Sequence, residues 1–457
     1  MKILYFNYMT TAFASILRSL EYAKAASDQG HDVTLVYLHP GFRPPAFYYD
    51  LMESYRSDRF HVFHPPRPPA TVKTAPDAPA PAASTSAPAA IASDATVPAH
   101  GAAGNGAAKG AIGKVVDGRP TLKGLYKQIL GSLRYVPAEK KWIERVKPDV
   151  LIVRPDHVVS FMVTSGLRGL PLVLECDGPV EELDRYWGLD SRWVEPMDTW
   201  RARRAEAVLY ISRPCGDLWR EKGLPAAKLF YTPNAAHPDR FKPAAPAARR
   251  ALREKYGLAE SKVFGFSGNL RSWHGADSLI AAALPILERD PSVKLLFIGA
   301  VDDPGSMALQ NVPERIRKER LVFTGPLPYA RMGEHIDMAD AMVIPYPHSD
   351  FFYFSPMKLF EAMCLGKLIV APHLGQIEEM LGDLASPILY EPREAGALAR
   401  SLEAALQRIA AAPEGALPGA DARARIEAGH TWSHRGKTVA EACEYALAQR
   451  AGGRGRG

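Results

Sequence analysis

The feature that most constrains the fold of this chain is a repeated alternation of short apolar runs with helix-like segments. The runs are almost continuously apolar, as in KILYFNY (2–8), PDVLIVR (148–154) and VKLLFIG (293–299). A strand of this composition is buried on both faces, which is typical of a parallel sheet covered by helices on both sides. Strand–helix units joined by right-handed crossovers build doubly wound sheets. The pattern therefore predicts an α/β protein.

The apolar runs form two series, separated by the Pro/Ala-rich FKPAAPAARR (241–250). A chain of 457 residues is too long for one ordinary core, so each series predicts one Rossmann-like domain. Ligands bind such sheets beyond the carboxyl ends of the strands, and two domains of this kind should share a cleft. We predict an N-terminal domain over 1–243, a C-terminal domain over 244–429, and over 430–457 a helix that packs back on the N-terminal domain, followed by a loose tail.

The N-terminal series contains a low-complexity insert. Residues 65–113 are nearly all Ala, Pro, Gly, Ser and Thr, so they predict a flexible segment that cannot bury enough apolar surface to fold. Residues 122–147 then interleave Lys and Arg with Leu, Ile, Tyr and Trp, which fits either a basic helix on an anionic membrane or an ordinary solvated helix face. The net charge of +6 is compatible with a polyanionic ligand, but it is not concentrated into a stripe that would indicate nucleic acid.

The cysteines and the N-terminal residues indicate in which cellular compartment the protein works. Cys176, Cys215, Cys364 and Cys443 lie far apart without metal-ligand spacing, as expected of reduced thiols in a cytoplasmic protein. The N-terminus begins with a strand-like run instead of a signal peptide, and no window approaches the roughly 18 apolar residues that span a bilayer. We expect a cytoplasmic protein that is soluble or attached peripherally to the inner face of the membrane.

The stretch SPMKLFEAMCLGKLIVAP (355–372) combines a helix start, a helix end and a buried strand. Ser355 and Pro356 are good residues for a helix start, and Gly366 for its end. The first amides of the helix, near Met357 and Lys358, would point outward at the positive end of the helix dipole. Such amides bind anions, most naturally phosphate, and Lys358 would add a full charge.

Glu361 follows one turn into the same helix. Its carboxylate can accept two hydrogen bonds from a vicinal diol such as a ribose. Phosphates at the amides and ribose at the acid would together suit a nucleoside diphosphate. The residues alone leave a plainer alternative open, because an acid in the first turns of a helix also occurs simply to complement the dipole.

The same stretch resembles the donor-binding signature of retaining, GT-B-fold glycosyltransferases of the family-four group, also called glycosyl transferases group 1. Further segments that resemble the family follow in its order: YTPNAAHPDRFKP (231–243), FSGNLRSWHGADSLI (266–280), VFTGPLPYARMGEHIDMADAMVIPY (322–346) and LGQIEEML (374–381). The resemblance extends over nearly all of 230–447. It implies two Rossmann-like, doubly wound parallel-sheet domains that face each other across a cleft.

The resemblance implies that the C-terminal domain holds a nucleotide-diphosphate sugar. By that analogy Glu361 binds the ribose, the amides of 355–358 and the Gly268 loop bind the diphosphate, and the backbone of 326–327 faces the base. The donor-binding residues are Gly268, Asn269, Arg271, His274, Pro326, Leu327, Tyr353, Ser355, Met357, Lys358 and Glu361. The residues expected to act in catalysis are Asp177, Arg271, Lys358 and Glu361.

The chain departs from the family pattern in the donor loops. A second glutamate that many members have eight positions before Glu361 is Tyr353 here. The usual Arg and Lys of the phosphate loop align with Asn269 and His274, although Arg271 lies two residues beyond Asn269 and could replace the missing charge. Because an imidazole titrates near neutrality, we expect His274 to supply only a partial, pH-dependent charge.

The resemblance places the acceptor in the N-terminal domain. Residues expected on the acceptor side are Tyr8, Met9, Thr10, Thr11 and His157, the first four of which lie in NYMTTAF (7–13), where the family has a glycine-rich loop. Asp177 aligns with a family histidine. It would orient a sugar hydroxyl or the acceptor, or it merely caps its loop.

The function implied is transfer of a sugar, with retention, from a UDP-, GDP- or similarly activated donor to an acceptor hydroxyl in polysaccharide, glycolipid or related biosynthesis. The leaving diphosphate would take the acceptor proton while cations and helix amides stabilise its charge. No metal or other cofactor and no nucleic acid are expected, and Asp302 and Asp303 fit a solvated turn. Two alternatives stay open: a catalytically weak nucleotide-sugar-binding partner protein, and a GT-B-fold epimerase or phosphorylase.

Overall fold

The computed structural model describes residues 1–8, 13–38, 46–65, 130–155, 160–176, 178, 191–301, 306–413 and 415–454. Within them the chain forms two parallel β-sheets connected by helices, which confirms the predicted α/β architecture. The predicted insert at 65–113 lies outside the described residues except for Pro65. So do Asp302, Asp303 and the first part of the basic segment at 122–147.

The first sheet has the strand order β3-β2-β1-β4-β5-β6-β7, with all neighbours parallel. Its strands are β1 (Lys2–Asn7), β2 (Asp32–Tyr37), β3 (Phe60–Phe63), β4 (Val150–Arg154), β5 (Leu172–Cys176), β6 (Ala207–Tyr210) and β7 (Leu229–Tyr231). Alternate residues of β1 enter different apolar clusters, since Ile3 and Tyr5 pack in one and Leu4 and Phe6 in the other. Both faces of this sheet are therefore covered, as the near-continuous apolar runs predict.

The second sheet has the strand order β10-β9-β8-β11-β12-β13 and is also parallel. Its strands are β8 (Lys262–Ser267), β9 (Val293–Ile298), β10 (Leu321–Phe323), β11 (Ala341–Val343), β12 (Leu368–Pro372) and β13 (Ile388–Tyr390). Strand order reverses between β8 and β11. In open α/β sheets a ligand binds at such a switch point, beyond the carboxyl ends of the strands.

The helices connect these strands and cover the sheets. They are α1 (Phe13–Asp28), α2 (Ala46–Ser54), α3 (Val136–Val146), α4 (Ser160–Arg168), α5 (Ser191–Arg204), α6 (Arg213–Glu221), α7 (Pro246–Lys255), α8 (Ala276–Arg289), α9 (Glu314–Arg320), α10 (Tyr329–Asp337), α11 (Met357–Cys364), α12 (Gly375–Leu381), α13 (Ala397–Ala411), α14 (Ala420–Gly429) and α15 (Trp432–Arg454). None of the helices in the described part of the chain has the length and apolarity needed to cross a membrane. All four cysteines are free thiols.

The chain passes between the two sheets twice. It first leaves β7 and enters the second unit at α7, and it returns between α14 and α15. The two crossings pair through a parallel bridge between Ala236 and Thr431. After the second crossing, α15 packs on α1, with the Trp432 ring edge-on to Tyr22 at 5.8 Å between centroids. The last helix of the chain thus belongs to the core of the first unit, while the domain boundaries themselves stay a prediction.

Candidate functional site

Helix α11 begins directly beyond the switch point of the second sheet. Pro356 precedes its first residue in an extended conformation, and no side chain caps the helix start. The amides of Met357 and Lys358 therefore have no acceptor within the helix and point out of its positive end. The helix ends at Cys364, and Gly366 follows with φ +63° before β12. The structure confirms both ends of the predicted helix.

Lys358 presents a buried cation at this helix start. Its Nζ lies 4.4 Å from the Phe266 ring centroid and 5.4 Å from that of Tyr346, and it has no hydrogen-bond partner among the described residues. Burial lowers the pKa of Lys358 to about 7, because an ammonium without water or a full counter-charge is poorly stabilised. A ligand that brings negative charge would stabilise the ammonium form that burial disfavours.

The loop after β8 lies against Lys358 because of a glycine. Gly268 has φ +120°, where side chains are strained, and a Cβ there would lie 3.3 Å from Lys358 Nζ. Gly275, at the end of the same loop, has φ +73°, and a Cβ would lie 1.7 Å from the carbonyl oxygen of Pro345. Gly268 thus lets the loop after β8 approach Lys358, and Gly275 lets the same loop approach the one that follows β11. The sequence places Gly268, His274 and Lys358 in one site, and the structure brings them together.

Glu361 is buried one turn further along α11. Burial raises its pKa to about 7, while the charge of Lys358, the nearby Tyr329 hydroxyl and Arg240 act in the opposite direction. The Tyr329 hydroxyl lies beside the carboxylate but outside hydrogen-bond geometry, since it has no partner among the residues described. The Glu361 carboxylate thus retains the capacity to accept hydrogen bonds from a ligand.

The expectation of a partly charged His274 is wrong. Burial, together with the nearby charges of Lys358 and Arg271, lowers the pKa of His274 to about 3, so the imidazole is neutral at physiological pH. Its Nδ1 lies 3.4 Å from the carbonyl oxygen of Asn269. Arg271 is exposed and stacks on Trp273 at 5.4 Å, and Asn269 is exposed as well. The cationic side chains of the site are therefore Lys358 at its buried centre and Arg271 at its outer edge.

Ser355 is held by a residue that the sequence analysis did not assign to the site. The Asn234 backbone N–H donates to Ser355 Oγ at 2.8 Å, and Asn234 Nδ2 donates to the Ser355 carbonyl oxygen at 2.5 Å. Asn234 belongs to the first crossing between the sheets and fixes the residue that leads into α11. The signal was present in the YTPNAAHPDRFKP segment, whose asparagine follows a strand and a proline.

The other predicted donor residues lie around this centre. Pro326 is exposed and Leu327 half-buried in the loop between β10 and α10. Tyr353 is half-buried and packs against Phe354 in a tilted arrangement, with 4.5 Å between ring centroids. It lies so close to Gly178 of the first unit that a Cβ there would be 2.4 Å from the ring. Tyr353 therefore lies at the boundary between the two units. Its neighbour Gly178 directly follows Asp177 in the chain.

The predicted acceptor side is described only in part. Tyr8 is fully buried, and its hydroxyl donates to Glu139 at 2.7 Å, so both its ring and its hydroxyl are engaged within the protein. Met9, Thr10, Thr11, His157 and Asp177 lie outside the described residues. The acceptor-side roles stay predictions.

A buried cluster of charged side chains, which sequence reasoning missed, lies at the carboxyl ends of the strands of the first sheet. Glu175 at the end of β5 pairs with Arg18 and with Arg154, each at 3.1 Å, and accepts a hydrogen bond from Ser19 at 3.2 Å. Burial raises the pKa of Glu175 above its usual range. These partners come from distant segments, so no local pattern could have joined them.

Two family models match consecutive parts of the chain. Residues 97–240 match the glycosyltransferase family 4 model, and residues 261–408 match the model named glycosyl transferases group 1. The alpha-D-kanosaminyltransferase of Streptomyces kanamyceticus is 25% identical over 52% of this chain and 62% of its own length. A D-inositol 3-phosphate glycosyltransferase of Nocardia farcinica is 25% identical over 70% of this chain and 67% of its own. The match to the kanosaminyltransferase thus spans less than two thirds of that relative's length.

Solved structures share the fold over nearly the whole chain. HepE of Anabaena, in complex with UDP-glucose, has a TM-score of 0.65 with 17% identity, covering 96% of this chain and 98% of that one. WaaG, a glycosyltransferase involved in lipopolysaccharide biosynthesis, has a TM-score of 0.59 with 14% identity over 96% and 98%. With the two parallel sheets and both family models in agreement, the chain belongs to the group 1 glycosyltransferases of the GT-B fold.

Proposed function

We propose that this protein transfers a sugar from a nucleotide-diphosphate sugar to an acceptor hydroxyl. The observation that carries the proposal is the buried Lys358 ammonium, which has no hydrogen-bond partner among the described residues and lies at the uncapped start of α11. A buried cation is costly unless a counter-charge compensates it. Glu361, one turn away, is free to accept hydrogen bonds from hydroxyl groups. An anion next to a diol is what a nucleoside diphosphate presents.

In the proposed reaction the bond between the anomeric carbon and the leaving phosphate oxygen breaks as the acceptor oxygen bonds to that carbon. Negative charge develops on the leaving diphosphate, where Lys358, the first amides of α11 and the Gly268 loop would stabilise it. The acceptor proton would pass to the diphosphate. Neutral His274 would act as a hydrogen-bonding group and not as a charge, and the backbone of Pro326 and Leu327 would face the base.

Retention of anomeric configuration and independence from metal ions are also part of the proposal. They are supported by the motif resemblance to retaining enzymes and by the positive groups that this site already supplies to the phosphates. Relatives and neighbours support a nucleotide-sugar donor: the HepE complexes contain UDP and UDP-glucose, and one relative from Mycolicibacterium smegmatis is named a GDP-mannose-dependent mannosyltransferase. Comparing the anomeric configuration of donor and product by NMR would test retention.

A thermal-shift screen with UDP, GDP, TDP, ADP and their sugars tests donor binding. We expect one diphosphate to stabilise the wild type clearly. Lys358→Ala should weaken its binding about 10- to 100-fold, because a hydrogen bond to a charged group contributes about 1.5–3 kcal/mol. Glu361→Gln should reduce binding through loss of the carboxylate at nearly constant shape. Lys318→Ala, which removes an exposed lysine of α9, serves as the matched control and should bind normally.

Three outcomes separate the hypotheses. A wild type that responds to no nucleotide contradicts the proposal. Binding that Lys358→Ala leaves unchanged contradicts the assigned site. Binding without hydrolysis or transfer in the presence of membrane extracts would favour the nucleotide-sugar-binding partner protein.

We further propose that the acceptor is a glycan, a small molecule or a lipid-linked molecule and that the protein works on the cytoplasmic face of a membrane. The described part of the basic segment supports contact with an anionic surface. Leu130 and Leu133 are 47% and 39% exposed there. The exposed basic residues of the same segment are Arg134, Lys140, Lys141, Arg145 and Lys147.

Vesicle co-sedimentation tests this surface. We expect binding to phosphatidylglycerol vesicles but not to phosphatidylcholine vesicles. The double charge reversal Lys140→Glu with Lys141→Glu should weaken binding at least about 30-fold, because each basic residue near an anionic surface contributes about 1 kcal/mol. Reversal of Lys242 and Lys437, both exposed elsewhere, is the control. Equal losses in both double variants would mean that the segment has no special role.

A further inference from the structure

Tyr329 is the first residue of α10 and directly follows the loop that contains Pro326 and Leu327. Its side chain is only 6% exposed. The hydroxyl oxygen is buried and has no hydrogen-bond partner in the part of the chain that the structure describes. An unpaired buried hydroxyl destabilises the folded protein, so a tyrosine that merely fills space here would be worse than phenylalanine.

The orientation of the Tyr329 ring is fixed from outside its own helix. Phe241 packs edge-on against it at 5.6 Å, and the Arg240 guanidinium lies 5.0 Å from its centroid. Arg240 is itself anchored, because it donates to the Tyr55 hydroxyl at 2.7 Å and lies 3.5 Å from Glu21. The hydroxyl is therefore held in place without being bonded.

The hydroxyl lies beside the carboxylate of Glu361, which is also buried. The two groups have complementary chemistry. A carboxylate only accepts hydrogen bonds, whereas a phenol can donate one. A ligand hydroxyl needs both partners, because it carries a proton to donate and an oxygen that accepts.

We propose that Tyr329 is a second ribose-binding residue, whose hydroxyl donates to the same ribose hydroxyl that donates to Glu361. This inference rests on the proposed function and deepens it, since it makes the site selective for ribonucleotides over their deoxy forms. Loss of either ribose hydroxyl would leave buried polar groups of the protein unpaired. Discrimination of this kind exceeds what an apolar contact provides.

Calorimetric titration of Tyr329→Phe with UDP, 2′-deoxy-UDP and 3′-deoxy-UDP tests the inference. If the initial screen selects guanine, GDP and its two deoxy analogues replace them. We expect the variant to bind the ribonucleotide about 5- to 10-fold more weakly than the wild type does. With one of the deoxy analogues, the two proteins should differ less than about twofold, because the contact is then already absent.

Ligand-free stability separates this role from a structural one. The substitution removes only an unpaired oxygen, so the melting temperature of Tyr329→Phe without ligand should stay equal or rise while binding weakens. Tyr256→Phe is the matched control, because the Tyr256 hydroxyl already has a partner within the protein, His335 Nε2 at 3.2 Å. It should bind all three nucleotides like the wild type.

The outcomes distinguish this inference from the proposed function. A wild type that binds no nucleotide overturns both. Normal UDP binding by Tyr329→Phe, or an equal loss with UDP and with both deoxy analogues, overturns the inference alone. A lower melting temperature of the ligand-free variant would show that the hydroxyl has a partner in the free protein and would overturn it as well.

Discussion

Lys358 and Glu361 lie one turn apart on a buried helix, and burial brings the pKa of each to about 7. The lysine is moved down and the glutamate up, because burial disfavours the charged form of both. Near neutral pH each is therefore only partly ionised in the ligand-free protein. A diphosphate requires the ammonium and a ribose diol requires the carboxylate, so ligand binding should draw both groups into their charged forms.

The expected consequence is a bell-shaped pH dependence of nucleotide-sugar affinity with a maximum near pH 7. Below pH 7 Glu361 takes up a proton and its acceptor capacity falls, and above pH 7 Lys358 loses its charge. Tyr48, Tyr329 and Arg240 also face this pair, but their raised pKa values keep them in one state, and His274 stays neutral. Titration calorimetry between pH 5.5 and 9 measures the profile. A nucleotide sugar is the better probe, because a free terminal phosphate titrates near pH 6 itself.

Glu361→Gln should flatten the acid side of this profile and leave the alkaline side in place. A profile whose acid side survives in this variant would show that another group titrates there. Lys358 should take up a proton when the nucleotide sugar binds at pH 8. Calorimetry in buffers of different ionisation enthalpy measures this uptake, which would assign the alkaline side of the pH profile to Lys358.

At the residue scale, the sequence was informative where the chemistry is local. The roles expected of Lys358 and Glu361 follow from their spacing after a helix start, and the structure places Lys358 in the first turn of α11 and Glu361 one turn further along. The charge of His274 could not be predicted, because it depends on burial and on Lys358, which lies far away along the chain. The same limit applies to Tyr329, whose neighbour Glu361 comes from another helix.

At the scale of elements, the site depends on how closely two loops approach. Gly275 joins the loop after β8 to α8 and lies against the Pro345 carbonyl, on the loop after β11. The positive φ and the close carbonyl act together, so any side chain would force the two loops apart. The position of the Gly268 loop beside Lys358 therefore rests partly on Gly275, which was not among the predicted donor residues.

Gly275→Ala should lower the free energy of unfolding by at least about 2 kcal/mol, since a strained φ alone costs about 1–3 kcal/mol and a clash adds to it. Urea denaturation measures the loss. Gly299→Ala is the matched control, because Gly299 has φ +84° with nothing within 4 Å of the added Cβ. If both variants lose the same stability, the contact with Pro345 has no energetic weight.

The strands and their grouping into two sheets were predictable, because apolar runs between helical segments have few alternative folds. The predicted helix from the start of α11 to Gly366 is confirmed for the same reason. The pairing of Tyr8 with Glu139 could not be anticipated, because these residues are separated by 131 positions and by the low-complexity insert. Local patterns define elements, whereas contacts between elements decide which side chains remain available for a ligand.

At the scale of the whole molecule, the two units share one apolar cluster. Residues of the first unit such as Ile3 and Tyr22 belong to the same cluster as Leu359 of α11, with Phe241 and Trp432 among its members. Polar contacts add to it, since Gln376 donates to the Ile211 carbonyl oxygen at 3.0 Å and Tyr231 donates to Glu379 at 2.9 Å. The stability of the two units is therefore coupled.

Trp432→Ala should destabilise the protein by about 3–5 kcal/mol, because it opens a cavity where the second crossing returns to the first unit. The indole is 1% exposed. Trp200→Ala is the control, since Trp200 is 46% exposed, and its loss should cost less than about 1 kcal/mol. Thermal and urea unfolding measure both variants. A single transition that shifts as a whole would demonstrate the coupling, and two separate transitions would contradict it.

The bridge between Ala236 and Thr431 makes the two crossings behave as one ribbon. Backbone hydrogen bonds join them, from the Ala236 N–H to the His430 carbonyl at 3.3 Å and from the Trp432 N–H to the Ala236 carbonyl at 3.4 Å. A single covalent tether would let the two halves swivel freely, but a doubled one resists torsion and bends mainly about one axis. Opening and closing of the protein around its substrates should therefore follow a single hinge coordinate that the two crossings define together.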